Sequence, residues 1–418
     1  MPYDVLVLGA TGYTGRLVAR YLNGHPQHRT NFSLAIAGRS KAKLDALKEQ
    51  EKLDDAVTIV QVDVTQPDDV ERAVKDANVV INTVGPFVRW GTPVVRACVE
   101  HNVHYVDITG EAYWIYDIIK QFHDRARQNG TIVIPASGFD SVPSDYGAYI
   151  AHKALKSFVP NATLADTTSA FKLKSGASGG TIATVFEMMQ IPREKIRASS
   201  AAWALSPVKG RPTPSFQLSY RLPHVNPPVY GGQFLMSTIN RPIVQRTWGL
   251  LQEGNPAAAY GPNFKYTEFM QTPSWFRGVL LSFSLAFGSL LLATVKPLRA
   301  LVQKFVLQPG QGPSEEALEQ GFFRITTVAS SDPLPDKPPV HVKSVFSGKG
   351  DGYLLTAVTV SEAALSILLD HDKLTPLGQK GGVLTPVSAL GDVLLDRLTS
   401  SGRFQHGPAE LIEDKKSA

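Results

Sequence analysis

The sequence predicts an α/β protein in which a Rossmann domain with a doubly wound parallel sheet precedes a second α+β domain with a mainly antiparallel sheet. Short apolar runs alternate with helical patterns as far as residue 150, which is typical of βαβ units. A glycine-rich turn, GATGYTG at residues 9–15, directly follows the first apolar run. The chain has 418 residues, and because single cores stop growing near ~250–300 residues, we expect two domains.

The first domain is predicted over residues 1–150. Helical periodicity follows each of its apolar runs, for instance at residues 41–51 and 92–101. Six strands are expected, at residues 4–9, 33–38, 57–63, 79–84, 104–108 and 131–136. This set of strands is typical of a dinucleotide-binding domain.

The second domain is predicted over residues 151–360. Its strands are expected at residues 164–173, 322–330, 340–346 and 353–360. Glycines at 348, 350 and 352 predict a hairpin turn between the last two strands. A glycine-rich stretch at 175–180 predicts the start of a helix at 181–190. Helices at 361–370 and 386–398 lie in a C-terminal region, 361–400, that we expect to pack back on the first domain.

Residues 200–278 have an unusual composition. They contain ten prolines, twelve aromatic residues, seven basic residues and only two acidic ones. Prolines at this density predict a large irregular insertion without long regular elements. An anionic lipid surface would suit its basic and aromatic side chains. The alternative is a capping subdomain that lines an apolar substrate groove.

The insertion leads into residues 278–295, eighteen residues without a charge between Arg277 and Lys296. Three structures fit such a segment, namely an interfacial hairpin on a lipid surface, a buried core helix or a membrane span. Its small residues and its position inside one domain argue against a span. We therefore expect a chain on the cytoplasmic face of membranes or lipid droplets, or otherwise in the cytosol, since no signal peptide is predicted.

Charge and cysteine content exclude several classes of function. The net charge is +5, but 42 basic and 37 acidic residues are well mixed, and no run of five basic residues occurs. A nucleic-acid partner is therefore not expected. Cys98 is the single cysteine, which excludes a disulfide framework and a Cys-rich metal centre. His101 and His104 have no third ligand nearby in the sequence, so no metal is expected.

The glycine-rich turn predicts a phosphate-binding site. Glycine is needed where the chain turns tightly, where backbone approaches a pyrophosphate and where helix packs on strand. The following helix presents free N–H groups and the positive end of its dipole to the anion. The expected cofactor residues here are Gly9, Thr11, Gly12, Tyr13, Thr14 and Gly15.

The end of the second strand predicts NADP rather than NAD. An NAD enzyme usually has Asp or Glu here to bind the ribose hydroxyls, whereas this sequence has Arg39 and Ser40. Arg39 can pair with a 2′-phosphate, Ser40 can donate a hydrogen bond, and Lys43 can assist. Asp63 and Val64 fit the adenine edge, although Asp63 could instead be a helix-capping residue. The residues expected beside the nicotinamide half follow the fourth strand: Val84, Gly85, Pro86 and Phe87.

Several loops together carry a resemblance to a known family. They are NTVGPF at 82–87, YVDITGE at 105–111, GFDSVPSD at 138–145, PGQGPSE at 309–315 and GGVLTP at 381–386. In these motifs the sequence resembles the saccharopine dehydrogenase-like oxidoreductases, a group that includes mycobacterial trans-acting enoyl reductases and animal proteins of lipid droplets. The resemblance implies an NADPH-linked reductase of a lipid-type enoyl or carbonyl group, with a hydrophobic acyl substrate; a homo-oligomer is an open alternative.

Four residues are candidates for the proton donor that such a reduction needs: Asp107, Glu111, Tyr113 and Asp140. They lie in loops expected at the C-terminal edge of the parallel sheet, although loop carboxylates often only order turns. Tyr149 and Lys153 have the YxxxK spacing of short-chain dehydrogenases, with Ser137 upstream, and we disfavour this triad. The alternative to an enzyme is a non-enzymatic NADP(H)-binding protein docked on membranes or lipid droplets.

Overall fold

Two sheets form the framework of the fold. The computed structural model describes residues 3–176, 186, 191–213, 216–305, 311–335 and 338–412. The first sheet has seven parallel strands in the order β13-β6-β5-β4-β1-β2-β3. Six of them follow the strand order of a dinucleotide-binding fold, 3-2-1-4-5-6. The predicted Rossmann sheet is confirmed.

The elements of the first sheet have these bounds. The strands are β1 (Tyr3–Leu8), β2 (Leu34–Gly38), β3 (Thr58–Gln61), β4 (Ala77–Asn82), β5 (His104–Asp107), β6 (Ile132–Ile134) and β13 (Gly382–Val383). The helices between them are α1 (Tyr13–Asn23), α2 (Lys41–Gln50), α3 (Pro67–Val74), α4 (Phe87–Glu100), α5 (Ala112–Asn129) and α6 (Val142–Phe158). Strands β1 and β4 are buried almost throughout, as expected for central strands covered on both faces.

The second sheet is mixed and mostly antiparallel, as predicted. Its order is β14-β12-β11-β7-β10-β9-β8, with β15 paired to β12, and only β7 and β10 are parallel. Its strands are β7 (Leu164–Lys174), β8 (Tyr220–Arg221), β9 (Tyr230–Gly232), β10 (Lys265–Thr272), β11 (Phe322–Ser331), β12 (His341–Lys349), β14 (Phe404–His406) and β15 (Glu410–Ile412).

The remaining helices connect and cover the two sheets. They are α7 (Arg193–Ser199), α8 (Ser237–Gly254), α9 (Trp275–Thr294), α10 (Lys296–Phe305), α11 (Glu315–Gln320), α12 (Gly352–Leu369), α13 (Pro376–Lys380) and α14 (Pro386–Ser400). The helix predicted at residues 181–190 lies outside the described residues except for Phe186.

The strand predicted at residues 353–360 is wrong, and so is its hairpin. These residues belong to α12, whose N-terminus is capped by the Asp351 carboxylate, which accepts a hydrogen bond from the Tyr353 N–H at 2.9 Å. Periodicity did not separate the two structures because α12 is apolar on nearly all sides, and a short apolar run fits a buried strand equally well. The hairpin of this sheet joins β11 to β12 instead.

The expectation that residues 200–278 lack long regular elements is also wrong. Helix α8 has 18 residues and contains Pro242 in its interior. An interior proline removes a backbone hydrogen bond and costs about 3 kcal/mol. Most of α8 is buried, including Ile243 and Trp248, and this packing offsets the cost.

The charge-free segment forms α9, and the buried-helix alternative for it is wrong. Only Gly278 and Ser282 of α9 are buried, which is 11% of the eighteen consecutive residues that are most apolar. Its large exposed side chains are Trp275, Phe276, Leu280, Phe283, Phe287 and Leu290, each between 49% and 67% exposed. Helix α12 is also long and apolar enough to cross a membrane, but 72% of its eighteen residues are buried, as in the core of a folded domain.

The C-terminal region returns to the first domain. Strand β13 adds to β6 in parallel register, and α12 packs against α1. Glu362 on α12 is buried, and it accepts hydrogen bonds from the Tyr21 hydroxyl at 2.5 Å and from Arg397 Nε at 2.7 Å. One carboxylate thus joins α1, α12 and α14.

Candidate active site

The glycine-rich turn has the geometry that a bound pyrophosphate requires. Gly9 has a φ of +83°, a conformation that side chains other than glycine rarely adopt. A Cβ atom on Gly15 would lie 2.2 Å from the Gly9 carbonyl oxygen, so α1 can approach β1 only with glycine at that position. Gly12 is the N-cap of α1, and no acidic residue occupies the first turn. The N–H groups of that turn therefore have no competing anion of their own.

The end of β2 lies beside this turn. The Thr11 hydroxyl oxygen is 3.6 Å from the place where a Cβ atom on Gly38 would lie, and Arg39 follows directly. Arg39 and Lys43 are exposed, and neither side chain makes a hydrogen bond or an ion pair with any residue that the structure describes. Ser40 caps α2 by accepting a hydrogen bond from the Lys43 N–H at 3.4 Å. Two cations beside the turn are thus free for an anion.

Asp63 and Val64 follow β3. The Asp63 carboxylate accepts hydrogen bonds from the backbone N–H of Thr65 at 3.0 Å and from its hydroxyl at 2.8 Å. These bonds lower the pKa of Asp63, and Arg39 lowers it further. Asp63 therefore orders the turn after β3, and Val64 is buried. Their contact with an adenine stays a prediction.

The loop after β4 touches the glycine-rich turn directly. A Cβ atom on Gly9 would lie 2.8 Å from both Thr83 Oγ1 and Val84 Cγ2. The Thr83 hydroxyl donates to the Leu8 carbonyl at 2.7 Å, which fixes this contact. Sequence reasoning placed Gly9 and Val84 at one cofactor site, and the structure brings the two together.

Glu111 and Tyr113 hold the next part of this loop in place. The Glu111 carboxylate is buried and accepts hydrogen bonds from the N–H groups of Phe87 at 2.7 Å and Val88 at 2.8 Å. The Tyr113 hydroxyl donates to the same carboxylate at 3.0 Å. Glu111 therefore satisfies the free N–H groups at the start of α4. A proton-donor role for either residue stays a prediction.

Asp107 is also engaged on all sides. Its carboxylate accepts hydrogen bonds from the N–H groups of Thr109 and Ala136, both at 2.9 Å, and from the Tyr105 hydroxyl at 2.8 Å. Burial raises the pKa of Asp107 to about 7, although these hydrogen bonds oppose the shift. The contacts join the loops that follow β5 and β6, and this geometry favours an ordering role.

Asp140 differs from the other candidates. It lies in the turn between β6 and α6, at the C-terminal edge of the parallel sheet, and is half-buried. Its carboxylate makes no hydrogen bond or ion pair in the part of the chain that the structure describes. Burial alone raises its pKa to about 6. A carboxyl group with a raised pKa and no fixed partner can deliver a proton near neutral pH.

The structure does not assemble the Ser-Tyr-Lys triad. The Ser137 hydroxyl donates to the Ile134 carbonyl at 2.9 Å and is buried. Lys153 Nζ donates to Asp392 Oδ1 at 2.5 Å, and burial together with the nearby Asp392 carboxylate raises the pKa of Tyr149. Tyr149 and Lys153 are therefore directed to α14, while Ser137 orders the turn after β6.

Similarity to known proteins identifies the family. A family model described as the saccharopine dehydrogenase NADP binding domain matches residues 5–134. A Mycobacterium tuberculosis protein provisionally named as a trans-acting enoyl reductase is 33% identical over 424 aligned residues, and 96% of each chain is covered. The trans-acting enoyl reductase of Mycobacterium ulcerans is 31% identical over 424 residues, with the same coverage. The chain belongs to the saccharopine dehydrogenase-like oxidoreductase family.

A solved structure supports the fold of this oxidoreductase. Apo saccharopine dehydrogenase (L-Glu forming) from Saccharomyces cerevisiae superimposes with a TM-score of 0.50 at 13% identity, covering 97% of this chain and 99% of that one. At this identity the likeness concerns the fold alone. The predictions of family, fold class, NADP as cofactor and NADP-dependent oxidoreductase activity are confirmed.

The residues of the oxidoreductase fit its cofactor. The turn at residues 9–15 is packed so tightly that a Cβ atom on Gly9 or Gly15 would collide with neighbouring protein atoms, and the first turn of α1 directs its N–H groups toward a phosphate. Arg39 and Lys43 supply positive charge for a 2′-phosphate. Among the described residues, no cluster of three His, Cys, Asp or Glu side chains could hold a metal ion.

Sequence reasoning missed a buried polar network beside the candidate site. Glu268 accepts hydrogen bonds from the Ser144 hydroxyl at 2.7 Å, the Tyr266 hydroxyl at 2.8 Å and the Asn240 amide at 2.9 Å. The Ser141 hydroxyl in turn donates to Asn240 at 3.2 Å. One signal was available, because Glu268 is one of only two acidic residues in the insertion at 200–278.

Proposed function

We propose that this chain is an NADPH-dependent oxidoreductase that reduces an enoyl or keto group of a hydrophobic, lipid-like or polyketide-like acyl substrate. Relatives named as trans-acting enoyl reductases, which align over 96% of the chain, support the reaction class. The observation that carries the mechanism is the Asp140 carboxyl group, which is half-buried, has no hydrogen-bond or ion-pair partner among the described residues and has a pKa raised to about 6.

Asp140 has the properties of the proton donor in this proposal. NADPH supplies a hydride when bound, and one proton then completes the two-electron reduction of the double bond. The protonated carboxyl of Asp140 gives up that proton and is left as a carboxylate, which solvent reprotonates. Asp107 and Glu111 are held by backbone N–H groups and keep the surrounding loops in position.

Substitution of Asp140 tests this function. NADPH oxidation is measured against enoyl and ketoacyl thioesters of increasing chain length, for the wild type and for Asp140→Asn. We expect the variant to lose about 100-fold or more in kcat with unchanged NADPH affinity. Asp124→Asn, an exposed change on α5, is the control and should retain the wild-type rate.

Two results would overturn the proposal in different ways. Full turnover in Asp140→Asn would show that Asp140 is not the proton donor, while the chain would still be a reductase. No turnover with any thioester, despite NADPH binding, would favour the non-enzymatic NADP(H)-binding protein instead.

A lipid surface is the second part of the proposal, on the cytoplasmic face of membranes or lipid droplets. Helix α9 exposes Phe283, Phe287 and Leu290, and an apolar face of this kind marks an interaction site. From residue 269 to residue 314 the sequence has no Asp or Glu, and its four charged residues are Arg277, Lys296, Arg299 and Lys304. Positive charge beside an apolar face complements an anionic lipid surface rather than a second copy of the same positive segment.

Vesicle flotation tests this surface with the full-length chain. The wild type should bind vesicles of phosphatidylcholine with added phosphatidylserine more tightly than phosphatidylcholine alone. Phe283→Ser with Phe287→Ser should reduce binding about tenfold or more, whereas Phe158→Ser with Leu411→Ser, two exposed sites elsewhere, should not. Dimerisation lost only in the α9 variant, without vesicle binding by the wild type, would show that a second copy covers the helix.

A further inference from the structure

A segment of the second domain contacts the glycine-rich turn. The segment comprises residues 312–315. Its first three residues precede α11, and its last residue is the first of that helix. The Tyr13 hydroxyl, on the first residue of α1, donates to the Pro313 carbonyl at 2.6 Å. A Cβ atom on Gly312 would lie 2.5 to 2.7 Å from three carbons of the Tyr13 ring. Gly312 thus lets the backbone of the segment lie directly on that ring.

Two further contacts fix the same ring. The Tyr353 ring meets it edge-on, with centroids 5.3 Å apart and planes at 89°. The Arg16 guanidinium lies 5.8 Å from its centroid. Burial is the main cause that raises the pKa of Tyr13 to about 12, so the hydroxyl keeps its proton and remains a donor. The side chain that follows Gly12 is therefore held by the second domain.

Glu315 ties the segment to α1. Its two carboxylate oxygens accept from Arg16 at 3.1 Å and from Arg20 at 3.0 Å. Both arginines also face Glu51, at 3.0 Å and 3.6 Å. Pairing with the arginines lowers the pKa of Glu315, so it is charged at neutral pH. The two ion pairs of Glu315 fix α1 at positions about one and two turns beyond its phosphate-binding N-terminus.

We propose that residues 312–315 belong to the cofactor site as positioning residues, which hold Tyr13 and the N-terminus of α1 in the conformation that binds NADP(H). The turn would then be ordered before the cofactor arrives, and less conformational entropy would be lost on binding. Tyr13 and Glu315 act through the turn, so their loss should speed cofactor dissociation without removing a catalytic group. This inference depends on the NADP site and not on the proposed acyl substrate or lipid surface.

Stopped-flow measurement of NADPH dissociation tests the proposal with the full-length protein. Bound NADPH fluorescence is followed after addition of excess NADP⁺. Tyr13→Phe and Glu315→Gln should each raise the dissociation rate about threefold to tenfold, the range expected for one hydrogen bond or one weak ion pair. The association rate should stay within about twofold, because a pre-ordered site changes mainly dissociation.

Glu319→Gln is the matched control. Glu319 lies on the same helix, has a similar exposure to Glu315 (61% against 57%) and pairs with Arg403 instead of α1. Its dissociation rate and melting temperature should match the wild type. Equal dissociation rates in wild type, Glu315→Gln and Tyr13→Phe would overturn the proposal. The proposal would also be overturned if Glu319→Gln raised the NADPH dissociation rate as much as Glu315→Gln and lowered the melting temperature equally, since the faster dissociation would then reflect general destabilisation.

Discussion

The Glu111 carboxylate lies 2.7 Å from the backbone nitrogen of Phe87, and this bond joins two loops that sequence reasoning treated as separate parts of the site. The loop after β5 thereby determines where α4 begins. Residues 84–86 form the expected nicotinamide loop, and α4 starts directly after them. The position of this loop therefore depends on the buried side chain of Glu111, which lies in the loop after β5.

Glu111→Gln should destabilise the fold. The amide that replaces one carboxylate oxygen would face an N–H donor of Phe87 or Val88, leaving a buried donor unsatisfied. We expect the free energy of unfolding to fall by about 1–3 kcal/mol, measured by urea denaturation. Glu100→Gln, at the exposed end of α4, should change it little. An unchanged free energy of unfolding in Glu111→Gln would show that the hydrogen bonds from the start of α4 to Glu111 are dispensable.

Arg39→Ala should change cofactor preference. Arg39 is exposed and unpaired within the described residues, so its guanidinium can bind the 2′-phosphate that distinguishes NADPH from NADH. We expect the NADPH dissociation constant to rise about 10-fold to 100-fold and that of NADH to stay constant, measured by fluorescence titration. Arg29→Ala, which removes an arginine already paired with Asp54, is the control. An equal loss for both cofactors would contradict a phosphate-specific role.

Tyr149→Phe should leave turnover within about threefold of the wild type. Its hydroxyl is directed to Asp392, and burial raises its pKa far above neutral, so it is a poor acid at physiological pH. The measurement is kcat with the best thioester substrate, beside Asp140→Asn. A large loss of kcat in Tyr149→Phe with intact NADPH binding would restore the disfavoured Ser-Tyr-Lys reading.

Glu268→Gln should flatten the dependence of stability on pH. Burial raises the pKa of Glu268 from 4.5 to about 7, so the folded state holds a proton that the unfolded chain releases at lower pH. The resulting stabilisation is complete below the unfolded pKa and is lost as the pH rises through about 7.

Melting temperatures between about pH 5 and about pH 8 measure this effect, which should be smaller in Glu268→Gln than in the wild type. Glu319→Gln is the control, because pairing with Arg403 lowers the pKa of Glu319 and gives no loss in that window. The same slope in Glu268→Gln and wild type would exclude Glu268 as its source.

The parallel sheet and the glycine-rich turn were predictable because their signals are local. A strand, a turn that only glycine can adopt and a helix follow each other directly in residues 3–23, and one short window contains the whole motif. The antiparallel character of the second sheet was predicted from the glycines at 348, 350 and 352, and that hairpin is wrong, but the strands predicted at 164–173, 322–330 and 340–346 are present as β7, β11 and β12.

The contacts that distinguish one carboxylate from another were not predictable. Asp107 ends β5 and Asp140 follows β6 in the same sheet, yet Asp107 accepts hydrogen bonds from two backbone N–H groups and Asp140 from none that the structure describes. That difference depends on the paths of two loops in space. Helix α12 was missed for a related reason, since burial on all sides removes the amphipathic pattern that marks a helix.

Within the part of the chain that the structure describes, the buried contacts of helix α9 lie near its N-terminal end. Gly278 meets the backbone of Gly231 and Gly232 on β9, and the Ser282 hydroxyl accepts a hydrogen bond from the Gln233 N–H at 2.7 Å. Residues 283–294 continue as helix for about 18 Å at 1.5 Å per residue. One leaflet of a bilayer has a hydrocarbon depth of about 15 Å. The exposed part of α9 that we propose as a lipid surface is thus about as long as a lipid monolayer is thick, so a phospholipid-coated oil droplet would accommodate it as well as a bilayer would.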